Sequence, residues 1–324
     1  MLKRRRLPLL ISTLAGAAVS INLLAARQGQ AVPPAAPAMQ QAPPKTGGDA
    51  TAVMAAAREA LGGDKKLAAV KSFVATGRTR QVRGDNLVPI EFEIDVEFPD
   101  KYVRKDEIPA QESGPTSSGF NGDGLIQLPP PAAPPAMPPG AAAGRAGAPG
   151  VSPEAALEMM RKSRVNALRQ DFVKLTLGMF AGSFPGAPVT FSLAGKAEAP
   201  QGTADVVDVK GANGLSLQLF INSQTHLPIM VAWTAPVPPA RGAVPPGAPR
   251  AGAAGAAAGA PAAAPPPAPP TTKIYYAEYR DAGNGVQFPF RLRRAVGADT
   301  VEETNFDGFK INSKIDPRKF EVVK

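Results

Sequence analysis

The sequence predicts an α+β protein: an antiparallel sheet of about eleven strands with helices packed on one side. Three observations predict it. Long stretches alternate apolar and polar residues with a period of two, as "VPIEFEIDVEF" does from Val88 to Phe98. Asn-Gly pairs, the strongest short hairpin signal, stand between such stretches at Asn213-Gly214 and Asn284-Gly285. The strands also arrive in runs joined by short turns and do not alternate with helices, the pattern of an antiparallel sheet with segregated helices.

The elements follow in order. Asp49 to Leu61 reads as a helix, with an acidic start, an Ala-rich interior and a stop at Gly62-Gly63. A short helical piece from Asp64 to Val70 leads into strands near 73–82, 88–98, 101–108 and 119–128. Ser152 caps a longer helix that runs to about Leu177, with Pro153 in its first turn and Val165, Leu168, Phe172 and Leu175 as its apolar stripe. Strands resume near 188–197, 203–210, 215–222, 227–234, 273–281, 286–296 and 299–312. Pro228 and Pro289 lie inside two of these, and a residue that cannot donate to a ladder belongs at a strand start, a bulge or an edge.

The 324 residues overstate the foldable length. Residues 129–150 and 235–270 are almost entirely Pro, Ala, Gly and Arg, and 32–48 is similar. They carry too little bulky apolar surface to offset the entropy of ordering, so they read as a disordered linker and two low-complexity inserts in one domain spanning 49–324. The first residues, M-L-K-R-R-R, precede an uncharged run from Leu7 to Ala26 and the small residue Ala31. That is the pattern of a signal peptide over 1–31, exporting the chain to the periplasm; an uncleaved inner-membrane anchor is the alternative, since the run is long enough to span a bilayer. Arg5-Arg6 leaves the choice between general and twin-arginine export open.

Charge narrows the partners. The formal net charge is +9, but Lys3, Arg4, Arg5, Arg6 and Arg27 of the leader supply five of those charges without any acid. The rest mixes both signs with no basic stripe, which argues against nucleic acid. No cysteine is present, so disulfides, thiolate metal sites and thiol nucleophiles are excluded.

Enzyme chemistry finds little to use. The one histidine, His226, stands in "NSQTHLP", a turn before a strand, and no G-x-S-x-G accompanies it. Glu91, Glu93, Asp95 and Glu97 form an acidic row whose alternate members sit about 7 Å apart, a spacing compatible with a hydrolase or a calcium site. A solvated face paired across strands by Arg78, Arg80 and Arg104 is the better reading. "FNGDG" at 120–124 has the composition of a turn and lacks the further ligands of a calcium loop. The expectation is a non-enzyme without cofactor or metal.

Apolar faces are the stronger signal. Val88, Ile90, Phe92, Ile94, Val96 and Phe98 share one parity; so do Leu215, Leu217, Leu219 and Ile221, then Leu227, Ile229, Val231 and Trp233, then Val286, Phe288, Phe290 and Leu292. Eleven strands offer more apolar surface than two or three helices can cover, and a curved sheet with scant cover leaves a cavity for an apolar ligand. Its candidate lining is Val88, Ile90, Phe92, Ile94, Val96, Phe98, Leu217, Leu219, Trp233, Phe288 and Phe290.

Several phrases, in their order, resemble the outer-membrane lipoprotein-sorting superfamily, the periplasmic half-barrels of the LolA, LolB and RseB type. They are "ALGG", "VKSFVATGRTR", "EFPDKYVRKDE", "GFNGDG", "ADVVDVKG", "LFINSQTHLPIMVAW", "YRDAGNGVQFPFRLR" and "FKINSKIDPRKFEV". The resemblance covers most of 49–324 outside the inserts. It implies a curved antiparallel half-barrel of about eleven strands whose concave face is covered by helices. It also implies a carrier or sensor of lipid, acyl chain or lipoprotein, acting as a monomer. The apolar face of 88–98 would then line the concave interior and its acidic face the wet convex outside. No single functional residue is carried over from the family. The alternative is an envelope scaffold without a ligand cavity, its Pro-rich loops engaging an envelope protein as preformed recognition elements.

If the leader is an export signal, N-terminal sequencing of the mature protein begins between Arg27 and about Pro33. Recovery of Met1 in the membrane fraction would establish the anchor instead.

Overall fold

A computed structural model describes residues 40–41, 48–109, 111, 114–130, 152–199, 202–234 and 269–322. The chain divides into two compact units, Met1–Pro34 and Ala35–Lys324. The proposed leader, most of the two inserts and all of 32–48 except Gln40, Gln41 and Gly48 lie outside the described residues. The second unit is described below.

Its strands are β1 (Gln40–Gln41), β2 (Ser72–Arg83), β3 (Asn86–Glu97), β4 (Lys101–Glu107), β5 (Thr116–Asn121), β6 (Gly124–Leu128), β7 (Val189–Ala199), β8 (Gly202–Gly211), β9 (Ser216–Asn222), β10 (Pro228–Thr234), β11 (Thr271–Asp281), β12 (Gln287–Val296) and β13 (Asp299–Ile311). The helices are α1 (Thr51–Ala60), α2 (Asp64–Ala69) and α3 (Pro153–Phe180), with a 3-10 turn at Pro317–Phe320. All the strands join one antiparallel sheet in the order β1-β7-β8-β9-β10-β11-β12-β13-β2-β3-β4-β5-β6. The last strand pairs with the first long one, so β2–β6 and β7–β13 form two meanders fused at β13–β2. Among the described residues the sheet does not close, because β6 and the short β1 end it.

The turns behave as their residues require. Asn213 and Gly214 have φ of 56° and 74°, and Asn284 and Gly285 have 59° and 71°, the positive pairs that a tight hairpin demands. The expected single strand over 119–128 is two, β5 and β6, because Gly122-Asp123 makes a two-residue hairpin between Asn121 and Gly124. Pro228 opens β10, and the ladder slips between Pro228 and Met230. That bulge re-aims Ile229 away from Val231 and Trp233, so it packs with Val206, Phe220 and Met230 on the opposite face. Pro289 lies within β12 opposite Tyr279, next to Glu278, whose φ is 56°.

Helix α3 connects β6 at one edge to β7 at the other, and it packs on β5, β6, β10 and β12. One helix can touch strands so far apart in the sheet only if the sheet curves around it, so α3 lies in the concave face. Ser152 caps it by accepting from the Ala155 amide at 3.2 Å, with Pro153 behind the cap. Its residues before Val165 are exposed or half-buried, whereas from Phe172 to Ala181 only Leu175 is not fully buried. The expected amphipathic stripe therefore describes the middle of the helix, and its end is buried all round.

The buried end is seated on β11. Gly178 faces Tyr276 so closely that a Cβ there would stand 2.5 Å from a ring carbon. The Tyr276 hydroxyl donates to the Lys174 carbonyl, and the Tyr279 hydroxyl lies 2.8 Å from the carbonyls of both Gly178 and Pro228, to either of which its one proton can be given. Around this seat the far end of the concave face is filled. Phe73 meets Phe98, Phe180, Phe288 and Phe309 at centroid distances of 6.2, 6.4, 6.0 and 6.3 Å, and Phe98 stacks on Phe184 at 4.5 Å. Met54, Ala57, Leu61 and Leu67 of α1, α2 and their junction join the same core. Gly62 allows the end of α1 to touch the β11–β12 turn, where a Cβ would stand 2.5 Å from the Gly285 carbonyl oxygen.

Gly178→Ala tests the seat. In a free helix interior the change gains about 1 kcal/mol, but overpacking a filled core costs about 1–3 kcal/mol. The expected outcome in urea denaturation is a net loss of stability, and Tyr279→Phe loses about 1 kcal/mol by removing the buried hydroxyl. A Gly178→Ala protein more stable than the parent would show that α3 does not sit on Tyr276.

Candidate functional site

Between the lower half of α3 and the sheet, the concave face holds a groove of about 210 Å³. The register assembles it. On β3, β4 and β5 the facing residues Ile94, Arg104 and Ser118 lie side by side. On β11, β12 and β13 the row Ile274, Arg294 and Glu302 does the same, with Leu292 opposite Thr304 and Tyr276 opposite Leu292. From α3, Leu168, Asp171, Lys174 and Leu175 reach down, at the spacing that keeps them on one side of a helix. Phe306 completes the floor.

The walls combine hydrocarbon with charge. Arg104 donates to Asp106 at 2.7 Å and to the Thr79 hydroxyl at 3.2 Å, and its guanidinium lies 4.6 Å from the Phe92 ring centre. Burial works against its charge, but Asp106 beside it holds the guanidinium above its ordinary value. Lys174 bonds Asp171 at 2.9 Å and lies 4.5 Å from the centre of the Trp233 ring. Arg294, 5.7 Å from the same ring, is exposed and has neither hydrogen bond nor ion pair among the described residues. Burial pushes the hydroxyls of Tyr102 and Tyr276 up, so both stay neutral donors. The groove can thus hold an apolar chain and meet an anion.

The predicted lining residues divide between this groove, the packed end and, for Leu217 and Trp233, a second cleft along β8–β11. Ile94 lines the groove, and Phe92 lies behind it, edge-on to Phe306 at 5.4 Å. Trp233 is half-buried beside Lys174. Val96, Leu219 and Phe288 have no exposure, and Leu217 and Ile90 are also buried. Phe98 and Phe290 are half-buried against other phenylalanines, and Val88 is half-buried towards the exposed β2–β3 turn. Arg104, Lys174 and Arg294 were not expected in the lining. One signal for Arg294 was present: Phe288, Phe290 and Leu292 share a parity that continues into Arg294, a charge on an otherwise apolar face.

The acidic row has a different fate from a wet outer surface. Glu91 pairs with Arg78 at 3.5 Å and Glu97 with Lys101 at 2.6 Å, as a solvated face would. Arg80 pairs with no carboxylate among the described residues, and Arg104, opposite Ile94, is on the other face. Glu93 and Asp95 lie under the C-terminal segment. Ile315 and Phe320 pack there on Val103 and Ile126, and Lys319 reaches Glu93 at 2.8 Å and both oxygens of Asp95 at 2.9 Å. Asp95 is 2 % exposed, and burial raises its pKa in spite of Lys319. This is a clasp holding the tail to the convex face. His226 is exposed in the β9–β10 turn with φ of 58°, and among the described residues no three His, Asp or Glu side chains converge to hold a metal.

No family model and no curated protein matches the chain. Among solved structures it is similar to a LolA superfamily protein from Nitrosomonas europaea, at 11% identity and a TM-score of 0.45 over 84% of this chain and 97% of that one. A putative outer membrane lipoprotein-sorting protein domain from Vibrio parahaemolyticus aligns at 7% identity and a TM-score of 0.42 over 84% and 97%. A DUF1329 family protein from Desulfovibrio piger aligns at 7% identity and a TM-score of 0.38 over 84% and 96%. The first two bear the superfamily name that the sequence phrases resemble.

The clasp has a pH signature. Burial, then proximity to Glu93, lifts the Asp95 carboxyl above 3.8 in the folded state, so this group favours folding in acid and opposes it increasingly as pH rises through the range just above 3.8. Lys319 offsets that cost. Burial works against its charge, but bonds to Asp95 and Glu93 hold it above 10.5, so its contribution is complete below 10.5 and lost at higher pH. Lys319→Met should therefore cost about 1–3 kcal/mol at pH 7, chiefly by leaving Asp95 buried and unpaired. The deficit should shrink towards pH 4, and Asp95→Asn in the same chain should restore most of it. Unfolding midpoints across pH 4–8 measure this; a deficit independent of pH would count against the clasp.

Proposed function

We infer that this chain is a non-enzymatic carrier or sensor of the cell envelope, of the lipoprotein-sorting type, that holds a lipid or acyl chain on the concave face. The observation that carries the reading is the groove under α3, with Ile94, Leu168, Leu175, Ile274 and Leu292 in its walls. Its volume of about 210 Å³ lies below the ~300–1,000 Å³ of sites that enclose a drug-sized ligand. One chain or one head group fits; a larger lipid or a lipoprotein requires α3 to lift where Leu168 and Asp171 cover the groove. The basic, then uncharged, leader supports export to the periplasm. Among the described residues no helix is long and apolar enough to cross a membrane.

A second reading, an envelope scaffold whose Pro-rich segments bind a partner protein, draws support from the filled end of the half-barrel, where Val96, Leu219 and Phe288 have no exposure. Native purification without detergent, solvent extraction and mass spectrometry distinguish the two. The carrier reading expects a lipid-like molecule in near-stoichiometric amount, and a change in Trp233 emission when a twelve-carbon amphiphile is added. Trp233 is the only tryptophan in the chain, so the signal has one source. No extractable lipid together with a silent Trp233 would favour the scaffold.

A further inference from the structure

The groove's charges are unevenly satisfied. Arg104 is bound by Asp106 and Thr79 on one wall, and Lys174 is bound by Asp171. Across the groove, Arg294 shares the concave face with Ile274 and Glu302, its neighbours in the ladder. Glu302 faces it without an ion pair and accepts from Gln81 at 3.5 Å. Arg294 and Lys174 meet over one ring, at 5.7 and 4.5 Å from the Trp233 centroid, which gathers two positive charges at the edge of a cleft that Asp171 and Glu302 also line. A cation held over an aromatic ring and lacking a carboxylate partner is pre-oriented to donate to one.

We propose that Arg294 receives the anionic head of a single-chain amphiphile, a carboxylate or phosphate-type group, at the mouth of this groove. The chain runs inward between Ile274, Leu292 and Leu175. This rests on the carrier reading and deepens it: the apolar walls supply affinity, and Arg294 selects the charge of the head. Lys174 adds positive potential from above while keeping its bond to Asp171. The groove's volume of about 210 Å³ encloses part of one chain, with the head at its mouth, and not a cluster of acyl chains.

Full-length protein, stripped of bound lipid, is titrated while Trp233 emission is followed. The probes are dodecanoate, the uncharged dodecan-1-ol, and inorganic phosphate. Dodecanoate is expected to bind about tenfold or more tightly than dodecan-1-ol, as one charge-assisted hydrogen bond would give. Arg294→Gln should remove that preference and Arg294→Lys should keep part of it, while both retain the parent's unfolding midpoint because Arg294 is exposed. Equal binding of dodecanoate and dodecan-1-ol in parent and variant would overturn head-group selection and leave the carrier reading standing. Phosphate binding as tightly as dodecanoate would also overturn it, in favour of a small-anion site. Binding of none of the three would defeat the carrier reading as well.

Discussion

The seat of α3 on β11 is the contact on which the rest of the unit depends. A wide antiparallel sheet buries its inner face only if something lies in its curve, and here one helix does most of that. Gly178 brings the helix backbone onto the Tyr276 ring, the Tyr276 hydroxyl adds a bond to the Lys174 carbonyl, and the Tyr279 hydroxyl reaches the Gly178 carbonyl, one of those that a buried helix end would otherwise leave costly. The position of α3 then decides which apolar residues become core and which stay accessible. From Phe172 onward most of the helix fills the phenylalanine-rich end, while Leu168, Asp171, Lys174 and Leu175 on one side of it line the groove. A displacement of this seat would change the cavity without altering a single strand.

The two faces of "VPIEFEIDVEF" show how one strand serves two layers. Its apolar side runs from Ile94 in the groove to Val96 in the packed end, so neighbouring positions of equal character serve different purposes. Its acidic side is wet at Glu91 and covered at Asp95, where the tail returns. In each layer the charges settle the outcome: Lys319 makes a buried Asp95 tolerable, and Arg104 enters the concave face only with Asp106 and Thr79 beside it.

Local signals carried far in the sequence, and long-range ones did not. The Asn-Gly turns, the Ser152 cap and the alternation of β3 depend on neighbours along the chain, and the structure places them as read. β5 and β6 were merged although "FNGDG" reads as a turn, because a two-residue turn leaves no break between two short strands in the apolar pattern. The bulge that re-aims Ile229 is one residue long and leaves no compositional trace beyond Pro228. The clasp joins residues 224 apart in sequence, and no period or motif announces such a pairing. In the groove, Ile94 and Leu292 were legible as apolar faces, and Arg294 through the parity it shares with Leu292, but Arg104 was not, since facing positions of distant strands are set by register.

Amide hydrogen exchange along α3 tests the central claim, that its last turns are core and its first turns are not. Amides of 172–180 should exchange only through global unfolding, while those of 154–163 exchange orders of magnitude faster by local opening. Uniform protection along the helix, or fast exchange at Leu177 and Gly178, would contradict a helix seated at its C-terminal end that leaves a groove beneath its middle.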